Sequence, residues 1–196
     1  MTNLPSTNLI SIFSRALLAL ALLTGAGAAT AGPMYHVALD TAGTAGAGYL
    51  QIDFLPFGTN DVLTATVSGL AGAFDGAPDL VNVTQAGGAF TFTSAAFSEL
   101  FQAITLGGAF GFDVSFDGLA TDGGSTGLSV SLLDAAGGYL SFQAAQISLV
   151  AGVPPLVATD PAFATVTAVP EPAEWVLVVT GLMLLGAVQR GRMDRA

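Results

Sequence analysis

The chain has 196 residues, of which 14 are Asp or Glu, 4 are Lys or Arg and one is His; it carries a formal charge of −10 and no cysteine. Residues 32–168 hold eleven of the acids and none of the Lys or Arg, so this stretch cannot neutralise phosphates, and nucleic acid is excluded as a partner. The same count leaves no cation for an internal ion pair, and the lack of thiols removes disulfides and thiolate metal sites.

The N-terminus presents Arg15, the apolar run Ala16 to Leu23, a break at Thr24 and Gly25, and small residues up to Ala29-Thr30-Ala31. Charge, apolar run and small-residue site in that order predict a secretory signal peptide helix over residues 1–31, whose apolar run is too short to span a bilayer by itself. Ala29 and Ala31 place signal peptidase cleavage before Gly32, with cleavage after Ala28 as the competing register.

From residue 32 to 168 the pattern is period-2 alternation punctuated by turn residues. Strands are predicted at Tyr35 to Asp40, Gly48 to Phe54, Leu63 to Ser68, Leu80 to Thr84, Ala89 to Thr93, Phe101 to Leu106, Phe110 to Phe116, Gly127 to Leu133, Gly138 to Leu149 and Ala162 to Ala168. Gly87-Gly88, Gly107-Gly108, Asp122-Gly123-Gly124 and Gly137-Gly138 supply the tight turns. Phe110, Phe112, Val114 and Phe116 alternate with Gly111, Asp113 and Ser115, so one face is core and the other wet. The expected fold class is all-β, a single antiparallel β-sandwich of jelly-roll type. Phe97, Leu100, Phe101 and Ile104 also fit the spacing of a short helix.

Residues 169–196 read Val169, Pro170, Glu171, Pro172, the apolar stretch Ala173 to Val188, then a tail with Arg190, Arg192 and Arg195. An apolar stretch of sixteen residues is slightly short of the roughly 20 that a transmembrane helix needs. The flanks decide the reading: the three Arg form a cytoplasmic membrane stop, and Trp175 marks the opposite interface. Glu174 is the one misfit, tolerable within a turn of that outer interface.

Pro-Glu-Pro, a short apolar helix and a terminal Arg cluster closely resemble the PEP-CTERM sorting signal. The resemblance implies that Pro170, Glu171 and Pro172 are recognised by an exosortase, a membrane-embedded transpeptidase-like enzyme of Gram-negative bacteria that often accompanies exopolysaccharide genes, and that the helix is discarded. It implies export, transient anchoring in the inner membrane, and delivery to the cell surface or medium. The start of the domain, with Tyr35-His36-Val37-Ala38-Leu39-Asp40-Thr41, Gly48-Tyr49-Leu50-Gln51-Ile52-Asp53-Phe54 and Leu63-Thr64-Ala65-Thr66-Val67-Ser68, is similar to a group of short PEP-CTERM proteins with an all-β ectodomain. That likeness brings no activity with it.

Nothing in the domain reads as catalytic machinery. His36 is the one imidazole, beside Tyr35 in the opening strand, and no Gly-x-Ser-x-Gly turn occurs. Glu99, Asp113, Asp117, Asp122 and Asp134 are the carboxylates from which a glycosidase pair would be drawn, yet Asp beside Gly is also ordinary turn chemistry. Asp117 and Asp122 are the candidate ligands of a Ca²⁺ site, with diffuse counter-ion attraction as the alternative. We expect no enzyme, and a structural role in biofilm or exopolysaccharide matrix. The alternative is a carbohydrate-binding module, which requires Tyr49, Tyr139 and polar partners on one sheet face. A hydrolase would require two facing carboxylates in a cleft.

Overall fold

The computed structural model describes residues 32–58, 61–118 and 121–170, with Gly181 and Met183. The expectations for Ala29 and Ala31, for Glu171 and Pro172, for Arg190, Arg192 and Arg195, and for the terminal helices lie outside the described residues, apart from helical backbone at Gly181 and Met183.

Twelve strands follow one another among the described residues: β1 (Met34–Asp40), β2 (Gly46–Phe57), β3 (Thr64–Ala71), β4 (Phe74–Val81), β5 (Val83–Ala86), β6 (Ala89–Thr93), β7 (Ser98–Leu106), β8 (Ala109–Asp117), β9 (Ser125–Asp134), β10 (Tyr139–Val150), β11 (Leu156–Thr159) and β12 (Ala164–Val169). They form two antiparallel sheets, ordered β12-β1-β8-β3-β6-β5 and β11-β10-β9-β2-β7-β4. The fold is therefore all-β, as the alternation implied.

One apolar face of each sheet supplies the core. In β8, Phe110, Phe112, Val114 and Phe116 are buried while Gly111, Asp113 and Ser115 look outward. Leu50, Ile52 and Phe54 of β2 do the same for the second sheet. Rings from the two sheets meet, with Phe54 and Phe116 at 6.2 Å and Phe74 edge-on to Phe110 at 5.6 Å between centroids. Each such side chain contributes about 1.5–3 kcal/mol through the apolar area it hides. The β5–β6 hairpin turns on Gly87 and Gly88, whose φ of +57° and +82° suit the two-residue turn that matches strand twist.

Four departures from the sequence reading have local causes. Ser98 to Ile104 is strand rather than helix, with Phe97 just before it: Ser98, Leu100, Gln102 and Ile104 are buried in alternation, and Leu100 and Ile104, four apart, satisfy both periods. The expected strand Leu80 to Thr84 is split at Asn82, where φ of +51° carries the chain from the second sheet to the first. β4 begins earlier, at Phe74, through a Gly- and Pro-bearing stretch that paired as an edge strand with a register break. β11 was not anticipated, because all four of its residues are exposed and show no alternation.

A fifth departure concerns charge. His36 Nδ1 lies 2.7 Å from Asp113 Oδ1, so the region excluded from ion pairing by its lack of Lys and Arg forms one whenever this imidazole is doubly protonated.

Candidate functional site

The outer face of the second sheet is assembled around β2. Burial of Leu50, Ile52 and Phe54 turns Tyr49, Gln51 and Asp53 outward. Strand register then fixes their neighbours: Tyr49 lies opposite Ala103 and Leu133, Gln51 opposite Phe101 and Ser131, and Asp53 opposite Glu99 and Ser129. Leu133 in turn faces Tyr139, and Ser129 faces Gln146. Cross-strand partners project from the same face.

Two chemically distinct rows result. The first is aromatic. Phe101 stacks on Tyr49 with ring centroids 4.8 Å apart and planes at 23°. Leu133, only 6% exposed, stands apart from the core cluster between the two tyrosines. Tyr139 then meets Phe142 edge-on at 5.1 Å, and these two rings are 53% and 65% exposed. From β7 to β10 the row crosses three inter-strand gaps, about 14 Å.

The second row is polar. The Gln51 side-chain amide donates to both Asp53 oxygens at 3.1 Å and to Glu99 Oε2 at 3.2 Å. Burial pushes the Asp53 carboxyl up to about 6; the Gln51 bond opposes this, while Glu99 adds repulsion and a shared hydrogen bond. The Gln51 amide thus stands between the two carboxylates, where a glycosidase pair would hold the scissile bond or its attacking water. The pair can accept from sugar hydroxyls, with Gln146 as a further donor and acceptor, whereas Ser129 and Ser131 beside it are buried and Ser131 accepts from the Gln143 amide.

Of the carboxylates named from sequence, only Glu99 belongs to this face. Asp113 sits on the other sheet with His36, and the register places it between His36 and Ser68, whereas a nucleophilic triad has the imidazole in the middle. Asp117 ends β8, exposed and opposite Thr64. Asp122 accepts from the Gly124 amide at 3.1 Å, and Asp134 accepts from the Ala136 and Gly138 amides at 2.8 Å, as turn residues do. Asp61 holds the nearby Thr121 through its amide and hydroxyl. Among the described residues no group of three or more His, Asp or Glu is gathered to hold a metal ion.

Asp53 was missed by sequence reasoning, although the alternation of its own strand already set it on the wet face beside Tyr49 and Gln51. Its partner Glu99 was named as a candidate acid, but its place opposite Asp53 was obscured by the helical spacing around Phe97 to Ile104. At the ends of the domain, Gly32 abuts β8 so closely that a Cβ would fall 1.5 Å from the Phe116 carbonyl oxygen, and Pro170 is exposed directly after β12. Comparison of the chain with family models, with curated proteins and with solved structures found no match.

Proposed function

We propose that this chain is an exported surface protein, sorted through its Pro-Glu-Pro segment by an exosortase-type system, whose β domain holds neutral polysaccharide without cleaving it. The observation that carries the binding role is the row Phe101, Tyr49, Leu133, Tyr139 and Phe142 on one sheet face, next to Gln51, Asp53 and Glu99. Flat rings offer stacking surfaces for the C–H faces of pyranoses, and the amide and carboxyl groups offer partners for their hydroxyls. The carboxylates of residues 32–168, with no Lys or Arg in that stretch to offset them, repel polyanions, which favours an uncharged chain. An acid pair bridged by the Gln51 amide suits retention rather than hydrolysis. Export, anchoring and matrix delivery rest on the sequence of residues 1–31 and 169–196 and on their resemblance to the PEP-CTERM signal.

The same reading takes the two sheets for a jelly-roll-like sandwich. A long antiparallel hairpin rolled on itself pairs strands whose numbers add to nine, and β1·β8, β2·β7 and β3·β6 are such pairs. The orders β1-β8-β3-β6 and β2-β7-β4 are then the two halves of the roll. Strands β9 to β12 extend one side, and β5 sits on the edge of the first sheet beside β6.

The test is retention of the exported protein on insoluble neutral glucans and mannans, followed by Tyr139→Ala. Loss of one exposed stacking ring lowers affinity about tenfold, equivalent to about 1.4 kcal/mol, while His36→Ala on the other sheet leaves it unchanged. Failure to bind any neutral polysaccharide, or equal binding by Tyr139→Ala, overturns the reading.

A further inference from the structure

We infer that two copies of this chain pair along β11, joining their second sheets edge to edge about a two-fold axis at Ala158. β11 closes one side of its sheet, and β10 is its one ladder partner among the described residues. The Asp160 amide donates to the Ala144 carbonyl. Hydrogen-bonded and non-bonded pairs alternate along an antiparallel ladder, so in this register the bonded pairs are Ala158 with Gln146 and Leu156 with Ser148. The amides and carbonyls of Val157 and Thr159 therefore point away from β10 into the open edge.

A second β11, laid antiparallel with Ala158 facing its own copy, sets Val157 opposite Thr159 twice over and satisfies all four of these groups. Centring the pair on Val157 instead brings Thr159 against Pro155, which has no amide to give. One register is thus favoured by the backbone alone.

Charge selects a second copy as the occupant. Residues 150–159 contain no charged side chain, whereas every charged side chain elsewhere in residues 32–168 is a carboxylate, His36 aside. Two such molecules repel over most of their surfaces and meet without opposing carboxylates here. The opposite side of the same sheet, β4, carries Asp75, Asp79 and Pro78 with a register break, the features that blunt an edge against pairing. β11 lacks them and presents Leu156 and Val157, 63% and 43% exposed. The edges of the first sheet, β5 and β12, expose Thr, Gln and Ala instead. A two-fold contact closes on itself, so the product is a dimer rather than a fibre. Four residues a side bury far less than the roughly 1,200 Å² of a stable complex, so pairing is weak and depends on concentration.

The test uses the full-length chain in a non-ionic detergent. It has no cysteine, so Ala158→Cys introduces the sole thiol. At the centre of the two-fold, in a non-bonded pair, the two Cα atoms lie about 4.5 Å apart, within disulfide reach. Thr84→Cys on β5 serves as the collision control. Once paired, the thiols see each other at about millimolar effective concentration, and the excess over collision is that concentration divided by Kd, so for weak pairing with a Kd of about 100 μM Ala158→Cys forms disulfide dimer about tenfold faster than the control. Adding Val157→Pro removes an outward amide while leaving the ladder to β10 intact, and it abolishes that excess. Val157→Lys replaces it if the proline variant loses its β circular dichroism spectrum, with the same expectation. Cross-linking of Ala158→Cys at the control rate, or an excess that survives the Val157 change, overturns the inference.

Discussion

Asp53→Asn raises the stability of the domain at neutral pH and flattens its pH dependence between about pH 4 and 6. The half-buried Asp53 carboxyl faces Glu99 across the β2–β7 ladder, and one amide, that of Gln51, serves both. Its pKa is raised from 3.8 to about 6, chiefly by burial. At 1.36 kcal/mol per pH unit this displacement corresponds to about 3 kcal/mol for a wholly buried group. Asp53 retains solvent contact, and screening reduces the figure to about 1 kcal/mol. Because the folded pKa lies above the unfolded one, the folded state binds more protons through this window. Stability therefore falls as pH rises from about 4 to 6, and the penalty is complete above that. Asn is neutral throughout, and its amide still accepts from Gln51 and donates to Glu99. Urea unfolding followed by circular dichroism at pH 4, 5, 6 and 7 is the assay. The variant should match the parent at pH 4 and exceed it by about 1 kcal/mol at pH 7. Asp160 does not mask the effect, since bonds from Ser141 and the Ala162 amide lower its pKa, so its stabilisation is lost only as pH falls below the ordinary carboxylate range. An equal difference at pH 4 and pH 7, or a less stable variant at pH 7, refutes the argument.

Phe112→Ala empties a fully buried site in the centre of β8 and should cost about 3–5 kcal/mol, read as a lowered urea midpoint. Glu171→Ala, in a host carrying an exosortase, should leave export intact while full-length protein accumulates in the inner membrane. Mass spectrometry of the C-terminus measures it, and a wild-type protein that keeps residues 173–196 in that host refutes the sorting role.

Strands that bury one face announced themselves in the sequence. The alternations in β2, β6 and β8 identified both the element and its inward side, and Gly87-Gly88 marked a hairpin. Of the edge strands, β12 was read as a strand, but β11 was missed and β4 was caught only at its end, because both have little buried face to impose a pattern. The aromatic and acid rows were half legible. Alternation already placed Tyr49, Gln51 and Asp53 together, but which strands lie beside β2 is decided by non-local packing. Only the observed register brings Glu99 and Phe101 from one side and Leu133 from the other. A pair such as Asp53 and Glu99, 46 positions apart in the chain, has no local signature.

β1 and β12 run side by side with Met34 opposite Val169, so the described domain begins and finishes at one corner. This has a mechanical consequence. Pulling the two ends apart opens the β1–β12 ladder one rung at a time, as a zipper, rather than loading all its hydrogen bonds together in shear. β12 is bonded to no other strand in its sheet, so little force is needed to start the tear. A domain held by both ends is thus at its weakest. On the proposed export reading, cleavage before Gly32 would leave Pro170 as the single point of attachment, and tension would find no second handle at that corner.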